Sequence, residues 1–345
     1  MENRLRIGVR VPPCRPAHEL GEFAAEVEKA GFDTMYVPDS QTLWRDSFIS
    51  LFAAALRTSR LQLATAVSNV ATRHPSVVAG LARSIDEVAP GRFVLGLGVG
   101  HSSVEPIGLA PSTGAELRAG VDQIRRLVRG EEVRYGDAVA LMRDPRPGGV
   151  PIHVAATGPR NLRLAGEIAD GIIMLSGVAP EPLAHAVAAI REGAETAGRR
   201  FEDLDITVSA HTMVTDDIER DARIIKPIAA AIAQRGGARA LAAAGLELSV
   251  PAHVPEVVPD LVHAEDWDHA VEVCSRWISD QDAVAFAQAF GLFGTPAEIV
   301  DRIRSTQELG VTGIFFQHVG SWNLPEDLVT AAGAGVIPLL AETLT

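Results

Sequence analysis

Short apolar runs alternate with longer amphipathic segments along most of the chain. The runs are rich in Val, Ile and Leu, as in Leu5–Val11 and Phe93–Val99. The segments that follow them place apolar residues at helical spacing, as in Ala17–Ala30. Apolar strands that are each followed by a helix are typical of a parallel sheet with helical crossovers.

Eight such strands follow one another in the sequence. The predicted strands are Leu5–Val11, Thr34–Pro38, Leu61–Val67, Phe93–Val99, Ile152–Ala155, Gly171–Leu175, Leu204–Met213 and Val311–Gln317. The predicted helices include Ala17–Ala30, Phe48–Arg57, Ser76–Ala89, Gly114–Arg129 and a helix capped by Thr295 that runs from Pro296 to Leu309. Eight such units in 345 residues predict an α/β fold, a (β/α)₈ TIM barrel, as a single domain over residues 1–345.

Two stretches interrupt this alternation. Gly130–Gly149 is polar and contains Gly and Pro, which predicts a β-hairpin. Residues 216–293 are Ala-rich and helical in pattern, and the Pro-containing segment Val250–Pro259 breaks them. We expect a helical insertion between the seventh and eighth strands, which either covers the active site or forms an oligomer contact.

The charge balance narrows the functional classes. The chain has 44 acidic and 31 basic residues and a net charge of -13, which disfavours binding to nucleic acid or to an anionic membrane. No apolar run approaches the ~20 residues of a membrane span, and the N-terminal stretch has no signal-peptide pattern. The cysteines, Cys14 and Cys274, indicate neither a disulfide framework nor a metal site. A cytoplasmic enzyme is expected.

The fifth predicted strand runs into a turn of small residues that opens a helix. Small side chains let a ligand approach the backbone, a proline suits the first helical position, and a helix N-terminus attracts anions. A phosphate would fit there, although an ordinary strand-to-helix turn would explain the same residues. The turn comprises Ala155, Ala156, Thr157, Gly158, Pro159 and Arg160.

Several separated segments carry a family resemblance. They are Glu28–Ser40 followed by Trp44, Thr65–Pro75, Gly91–Val104, Ala155–Ile173 and Phe293–Phe316. In order and spacing they resemble the bacterial-luciferase-like superfamily, and within it the deazaflavin-dependent branch typified by methylenetetrahydromethanopterin reductase. The resemblance covers most of the chain outside the insertion.

The resemblance implies a place for each part of the cofactor. A non-prolyl cis peptide at Ala66–Val67 would form a bulge behind the flavin-type ring, with polar groups of Ser68 and Asn69 at its rim. The phosphate would lie at Thr157, Gly158 and Arg160, with additional contacts from Ser102 and Ser103. The cofactor expected is coenzyme F420, with FMN as the alternative.

The resemblance also identifies candidate catalytic residues. Asp39 follows the second strand, where relatives commonly have an Asp-His pair, but this chain has Ser40 in place of the histidine. A serine hydroxyl can hydrogen-bond but does not supply a proton near neutral pH. Trp44 would flank the substrate side of the ring, and the alternative is a partly buried core tryptophan. His101 occupies a position where relatives often have a carboxylate, and it could handle a proton, although an exposed loop histidine without a chemical role would explain it equally well.

These residues favour an F420-dependent oxidoreductase that transfers hydride between the cofactor and a small organic substrate, such as a methylene-pterin, an imine or an activated alkene. The alternatives are an FMN-dependent monooxygenase of the same superfamily and a barrel that binds a cofactor without catalysis. The absent histidine keeps the non-catalytic alternative open. Family members commonly dimerise through the helices of the early strand-helix units, so a homodimer is expected.

Overall fold

A computed structural model describes residues 5–235 and 237–342 of the chain. The strands are β1 Arg6–Arg10, β2 Thr34–Val37, β3 Gln62–Thr65, β4 Ser68–Asn69, β5 Phe93–Gly98, β6 Val133–Tyr135, β7 Ala138–Ala140, β8 Ile152–Ala156, β9 Gly171–Met174, β10 Asp205–Val214, β11 Leu292–Gly294 and β12 Gly313–Gln317. The predicted hairpin is confirmed, because β6 and β7 pair in antiparallel register.

Eight of these strands close into a parallel barrel. Their order around the ring is β1, β2, β3, β5, β8, β9, β10 and β12, and β12 pairs again with β1. The predicted (β/α)₈ barrel is therefore confirmed, with strand bounds that differ from the predicted ones by one or two residues.

The helices lie outside this ring and in one long insertion. They are α1 Ala17–Lys29, α2 Ser47–Arg57, α3 Pro75–Val88, α4 Gly114–Arg129, α5 Pro159–Ile168, α6 Pro180–Thr196, α7 Ile218–Asp221, α8 Lys226–Gln234, α9 Ala238–Ala243, α10 Trp267–Cys274, α11 Asp280–Phe290, α12 Pro296–Gln307, α13 Glu326–Ala331 and α14 Ile337–Glu342. Among the described residues, no helix is long and apolar enough to cross a membrane.

The alternation of side chains along the strands separates two apolar layers. On β1, Ile7 and Val9 join the core between strands and helices, so Gly8 and Arg10 face the barrel interior. A small apolar layer crosses the interior, where the rings of Tyr36 and Phe315 stack with centroids 4.2 Å apart. This layer closes the middle of the barrel, and polar side chains occupy its two ends.

The third predicted strand ends earlier than its apolar pattern suggests. The bond between Ala66 and Val67 is cis, as the resemblance implied, and the chain resumes pairing as β4, beside β5. Two glycines of β5 make room for this bulge. A Cβ on Gly96 would lie 2.0 Å from the carbonyl oxygen of Thr65, and one on Gly98 would lie 2.8 Å from the side chain of Val67.

The insertion falls between the seventh and eighth barrel strands, as predicted. Helices α7 to α11 build a second apolar core of their own, in which Phe286 and Phe290 stack with ring centroids 4.9 Å apart. The short strand β11 then pairs with the far end of β10 and leads into α12, where Thr295 forms the predicted N-cap. The insertion is thus anchored to the carboxyl end of the barrel.

Candidate active site

Asp39 lies at the carboxyl end of β2 in a buried ion pair. Its Oδ2 accepts a hydrogen bond from the Ser68 hydroxyl at 2.6 Å, and its Oδ1 lies 2.9 Å from Nη2 of Arg73. The same Arg73 nitrogen also binds Asp46 at 2.9 Å. Asp39 is 4% exposed, and its carboxylate oxygens already have partners. It therefore orients Ser68 and Arg73 at the rim of the barrel.

The residue at the position of the family histidine has a defined partner. The hydroxyl groups of Ser40 and Ser102 lie 2.6 Å apart. Asn69 donates to the Ser103 hydroxyl at 3.0 Å, and Gln41 donates to the Ser103 carbonyl at 2.6 Å. The loop after β5 is therefore bonded to the loop after β2 and to β4, and Ser40, Asn69, Ser102 and Ser103 lie together.

The predicted phosphate turn has an open backbone. Gly158 has φ +73°, and a Cβ there would meet nothing within 4 Å. Pro159 opens α5, and no side chain caps the N-terminus of this helix. The first backbone N–H groups of α5 are thus available to an anion, beside the exposed side chain of Arg160. Ala156, which precedes the turn, is buried.

His101 lies on the exposed part of the loop that follows β5. Its side chain is 61% exposed, and its Nδ1 is 3.5 Å from a Glu105 carboxylate oxygen. It shares with Arg160 a groove of about 1340 Å³ between α4 and α5. The groove thus brings His101 and Arg160 together, and the next residue, Ser102, joins the same loop to Ser40.

Trp44 is buried under the loop that follows β12. Its indole nitrogen donates to the Ser321 carbonyl at 2.7 Å, and the side chain is 8% exposed. The ring meets His263 edge-on at 5.4 Å and lies 6.2 Å from Trp322. Since His263 belongs to the insertion, Trp44 joins the insertion to the barrel mouth.

Three basic side chains at the mouth were not predicted from the sequence. Arg10 ends β1, His211 lies on β10 and His318 follows β12. Burial and the charge of Arg10 lower the pKa of each histidine to about 3, so both imidazoles are neutral at physiological pH. His318 bonds the Asn323 carbonyl through Nε2 at 3.1 Å. The only signal in the sequence was a polar residue at or near the end of an apolar strand.

With this geometry, the sequence comparisons decide the family. The luciferase-like monooxygenase family matches residues 3–313. The chain belongs to that family. The cis bulge and the open turn of this luciferase-like protein lie on the carboxyl face of the barrel, where barrels of this type bind their ligands.

Two curated relatives of this luciferase-like protein are similar over nearly their full length. One is an F420-dependent glucose-6-phosphate dehydrogenase from Nakamurella multipartita, 32% identical, with 88% of this chain and 87% of the relative covered. The other is a 5,10-methylenetetrahydromethanopterin reductase from Archaeoglobus fulgidus, 26% identical, with 90% and 92% covered.

A solved structure supports the same fold for the luciferase-like chain. The coenzyme F420-dependent tetrahydromethanopterin reductase from Methanopyrus kandleri superimposes with a TM-score of 0.81 at 22% identity, and 98% of this chain and 99% of that one are covered. The superposition therefore covers nearly the whole chain, and the insertion with it.

Proposed function

We propose that this protein is a coenzyme F420-dependent oxidoreductase. The observation that carries the proposal is the uncapped N-terminus of α5 behind the open turn at Gly158, on the same barrel face as the cis bulge at Ala66–Val67. The 32% identity to a relative named as F420-dependent supports the choice of cofactor.

The residues present fit a planar ring with a phosphate tail. The cradle behind the bulge is built from Gly96 and Gly98, where any larger side chain would collide with β3 or Val67. The backbone N–H groups after Gly158 would hold the phosphate, with Arg160 adding charge. Ala156 and Thr157 would line the approach to that turn.

When bound, the deazaflavin supplies a ring carbon that accepts or releases a hydride. The chain's own residues position the reactants and exclude water. Asp39, held by Ser68 and Arg73, fixes the rim, while Ser40 and Ser102 offer hydroxyl groups that can orient a polar substrate atom. Trp44 supports the wall on the insertion side. Ser40 does not release a proton near neutral pH, so this chain departs from the histidine-based acid-base pattern of its branch.

The insertion is proposed to cover the active site. The Ser321 hydroxyl donates to the Val262 carbonyl at 3.1 Å, and the Trp322 indole donates to the His263 carbonyl at 2.9 Å. These bonds hold the middle of the insertion against the loop after β12, beside Trp44. A lid in this position would keep water from the reacting atoms.

The decisive experiment is a parallel titration of the purified protein with F420 and with FMN, followed by intrinsic tryptophan fluorescence. We expect low-micromolar binding of F420 and at least tenfold weaker binding of FMN. A preference for FMN would replace the proposal with an FMN-dependent monooxygenase. Binding of neither would contradict the phosphate turn. Binding of F420 without turnover of any acceptor or donor in a reductant screen would indicate a non-catalytic binding barrel.

A homodimer is proposed from an apolar face on α2. Ile49 and Leu56 are 62% and 63% exposed, and Phe52 between them is 39% exposed. Their spacing places all three on one side of the helix. Glu substitutions at Ile49 and Leu56 are expected to produce monomers in light scattering, whereas Leu141→Glu, at an equally exposed position after the hairpin, should leave the mass unchanged.

The location proposed for this enzyme is the cytoplasm. Both cysteines are free thiols, and Cys274 is buried. Unpaired cysteines suit a reducing compartment. Fractionation of the native host with an antibody against the protein would test this placement.

A further inference from the structure

Arg10 is a buried cation at the barrel mouth without a carboxylate partner. Its side chain is mostly enclosed, at 8% exposed, and Nη1 donates to the Gly320 carbonyl at 2.9 Å. The guanidinium lies 5.3 Å from the ring centroid of Trp44. Within residues 5–235 and 237–342, no carboxylate oxygen lies within 4 Å of it. A buried charge without a counterion is costly, which indicates that an anion completes the site.

His211 faces the same space. Successive side chains of a strand point to opposite faces. On β10, Val208 and Ala210 pack outward against the helices, so the ring of His211 points into the barrel. The ring forms no hydrogen bond with any residue in the described part of the chain. Because the imidazole is neutral, it can donate one hydrogen bond to a ligand without adding a second charge.

The position of these two residues separates them from the phosphate turn. From β1 the ring runs through β2, β3 and β5 to β8 in one direction, and through β12, β10 and β9 to β8 in the other. Arg10 therefore lies across the barrel from Gly158, and His211 is two strands from Arg10. A ligand held by Arg10 and His211 would face the cofactor without competing for its phosphate site.

The surrounding charges favour an anion at this point. Arg15 and Arg45 are exposed and do not face the same space, but with Arg10 they add positive charge near Cys14, where they oppose the burial that raises the pKa of its thiol. The acidic groups nearby already have partners. Asp39 and Asp46 bind Arg73, and Asp260 binds the His263 ring at 2.8 Å.

We propose that Arg10 and His211 bind the carboxylate of the substrate, so that the substrate is a small organic acid. This inference rests on the proposed oxidoreductase function and names the substrate class of the same site. One guanidinium and one neutral imidazole provide a single positive charge, which matches a carboxylate monoanion better than a phosphate dianion. The carboxylate anchored there would place the neighbouring carbon over the middle of the mouth.

The first test measures carboxylate binding without the cofactor. Histidine ring resonances of isotope-labelled protein are followed during titration with sodium acetate, with sodium chloride at equal ionic strength as the control, and the His211→Asn variant assigns the His211 signal. We expect a saturable shift of the His211 signal with acetate and none with chloride. Inorganic phosphate should bind at least tenfold more weakly than acetate, and tighter binding of phosphate would overturn the carboxylate assignment.

The second test uses Arg10 variants. Arg10→Met is expected to weaken acetate binding at least tenfold, and Arg10→Lys, which keeps the charge, should recover part of that loss. The melting temperature of Arg10→Met without ligand should equal or exceed that of the wild type, because an unpaired buried charge is removed. Equal acetate affinity in the wild type and Arg10→Met would overturn the inference. A lower melting temperature together with unchanged acetate binding would identify Arg10 as a structural residue.

The same samples distinguish the two proposals. F420 titration of the wild type and of Arg10→Met should give dissociation constants within threefold of each other. If the wild type binds F420 but not acetate, the carboxylate site is wrong and the oxidoreductase proposal stands. If the protein binds acetate but not F420, the oxidoreductase proposal is wrong and the anion site stands.

Discussion

Strands β1 and β10 carry polar side chains at both ends of the barrel, and the partners of these side chains differ between the two ends. At the amino end, Arg6 of β1 and Asp205 of β10 lie 2.5 Å apart, and His153 approaches the same carboxylate at 3.6 Å. At the carboxyl end, β1 and β10 contribute Arg10 and the neutral His211, and no carboxylate described in the structure pairs with Arg10. The charged side chain of β1 therefore has a carboxylate partner at the amino end, whereas Arg10 of the same strand has none at the carboxyl end.

This difference separates residues that stabilise the barrel from residues that bind. The guanidinium and imidazole beside Asp205 hold the pKa of its carboxyl group well below the usual range, so the amino end gains stability from its charges. Arg10 has a pKa lowered to about 10 by burial, which shows that the carboxyl end bears a cost for its cation. Unpaired buried polar groups of this kind are concentrated at functional sites.

The largest expected effect is at the amino end. Asp205→Ala leaves Arg6 and His153 without their carboxylate, and we expect the free energy of unfolding to fall by about 2 kcal/mol, less than for a fully buried pair because Asp205 is 35% exposed. Urea denaturation measures this change. Asp216→Ala, which removes a carboxylate that is 92% exposed, is the control and should cost less than about 0.5 kcal/mol. Equal losses in the two variants would contradict the comparison.

The next effect concerns the phosphate turn. Gly158→Asp places a negative charge at the N-terminus of α5, and F420 affinity should fall roughly 10- to 100-fold. Because the positive φ of Gly158 strains any side chain, the melting temperature should fall as well, and Gly198→Asp should lower it for the same reason. Fluorescence titration gives the dissociation constants. Gly198→Asp is the matched control, because Gly198 has φ +69°, open space around it and a position at the amino end of the barrel. A similar loss of affinity in both variants would show that the turn is not the phosphate site.

The pH dependence of stability should differ between the two ends. The folded pKa of about 3 for His211 and His318 lies below the ordinary value near 6.5, so the unfolded chain binds more protons between these values. Stability should therefore decrease as the pH falls below about 6.5, and His211→Asn should reduce that slope by about 1 kcal/mol per pH unit.

Asp205 provides the comparison, since its lowered pKa makes its contribution disappear only as the pH falls below about 4. Asp205→Asn should leave the slope between pH 6.5 and 5 unchanged. Chemical denaturation at a series of pH values measures both curves. An identical slope in the wild type and His211→Asn between pH 6.5 and 5 would refute the assignment of that window to His211.

The smallest effect is expected at the position of the family histidine. Ser40→Ala removes the 2.6 Å contact with Ser102, and kcat/KM should fall about two- to fivefold, which corresponds to one neutral hydrogen bond. Steady-state kinetics with F420 checks this value. Ser84→Ala, on α3, removes a local bond to the Gly80 carbonyl and should leave kcat/KM unchanged. A loss above 100-fold would mean that Ser40 handles a proton after all.

Most of the fold could be predicted because it follows local rules. Apolar runs and helical periodicity located all eight barrel strands, and Thr295 with Pro296 marked the start of α12. The short strands β4 and β11 were not predicted. Each pairs with a distant strand over two or three residues, and such pairing leaves no periodic signal in the sequence.

The candidate site could be predicted only in part. Ser40, Ser102 and Asn69 were identified from their segments, and the structure brings them together. For His101 the sequence left two possibilities, a proton-handling group near the substrate and an exposed loop histidine, and in the structure its side chain is exposed beside Glu105. Whether a loop histidine faces the ring or the solvent depends on how the loop folds back, which spacing along the chain does not encode.

The sequence by itself determined the order of strands and helices, the small-residue turn at Gly158 and the family, because each depends on neighbouring residues and their spacing. Only the tertiary structure decided that Arg10 and His211, some 200 positions apart, lie at the same end of the barrel, two strands from each other. Closure of the barrel sets which strand ends meet. The cost of a buried charge then depends on the groups that this closure brings within reach, and for Arg10 it brings no carboxylate.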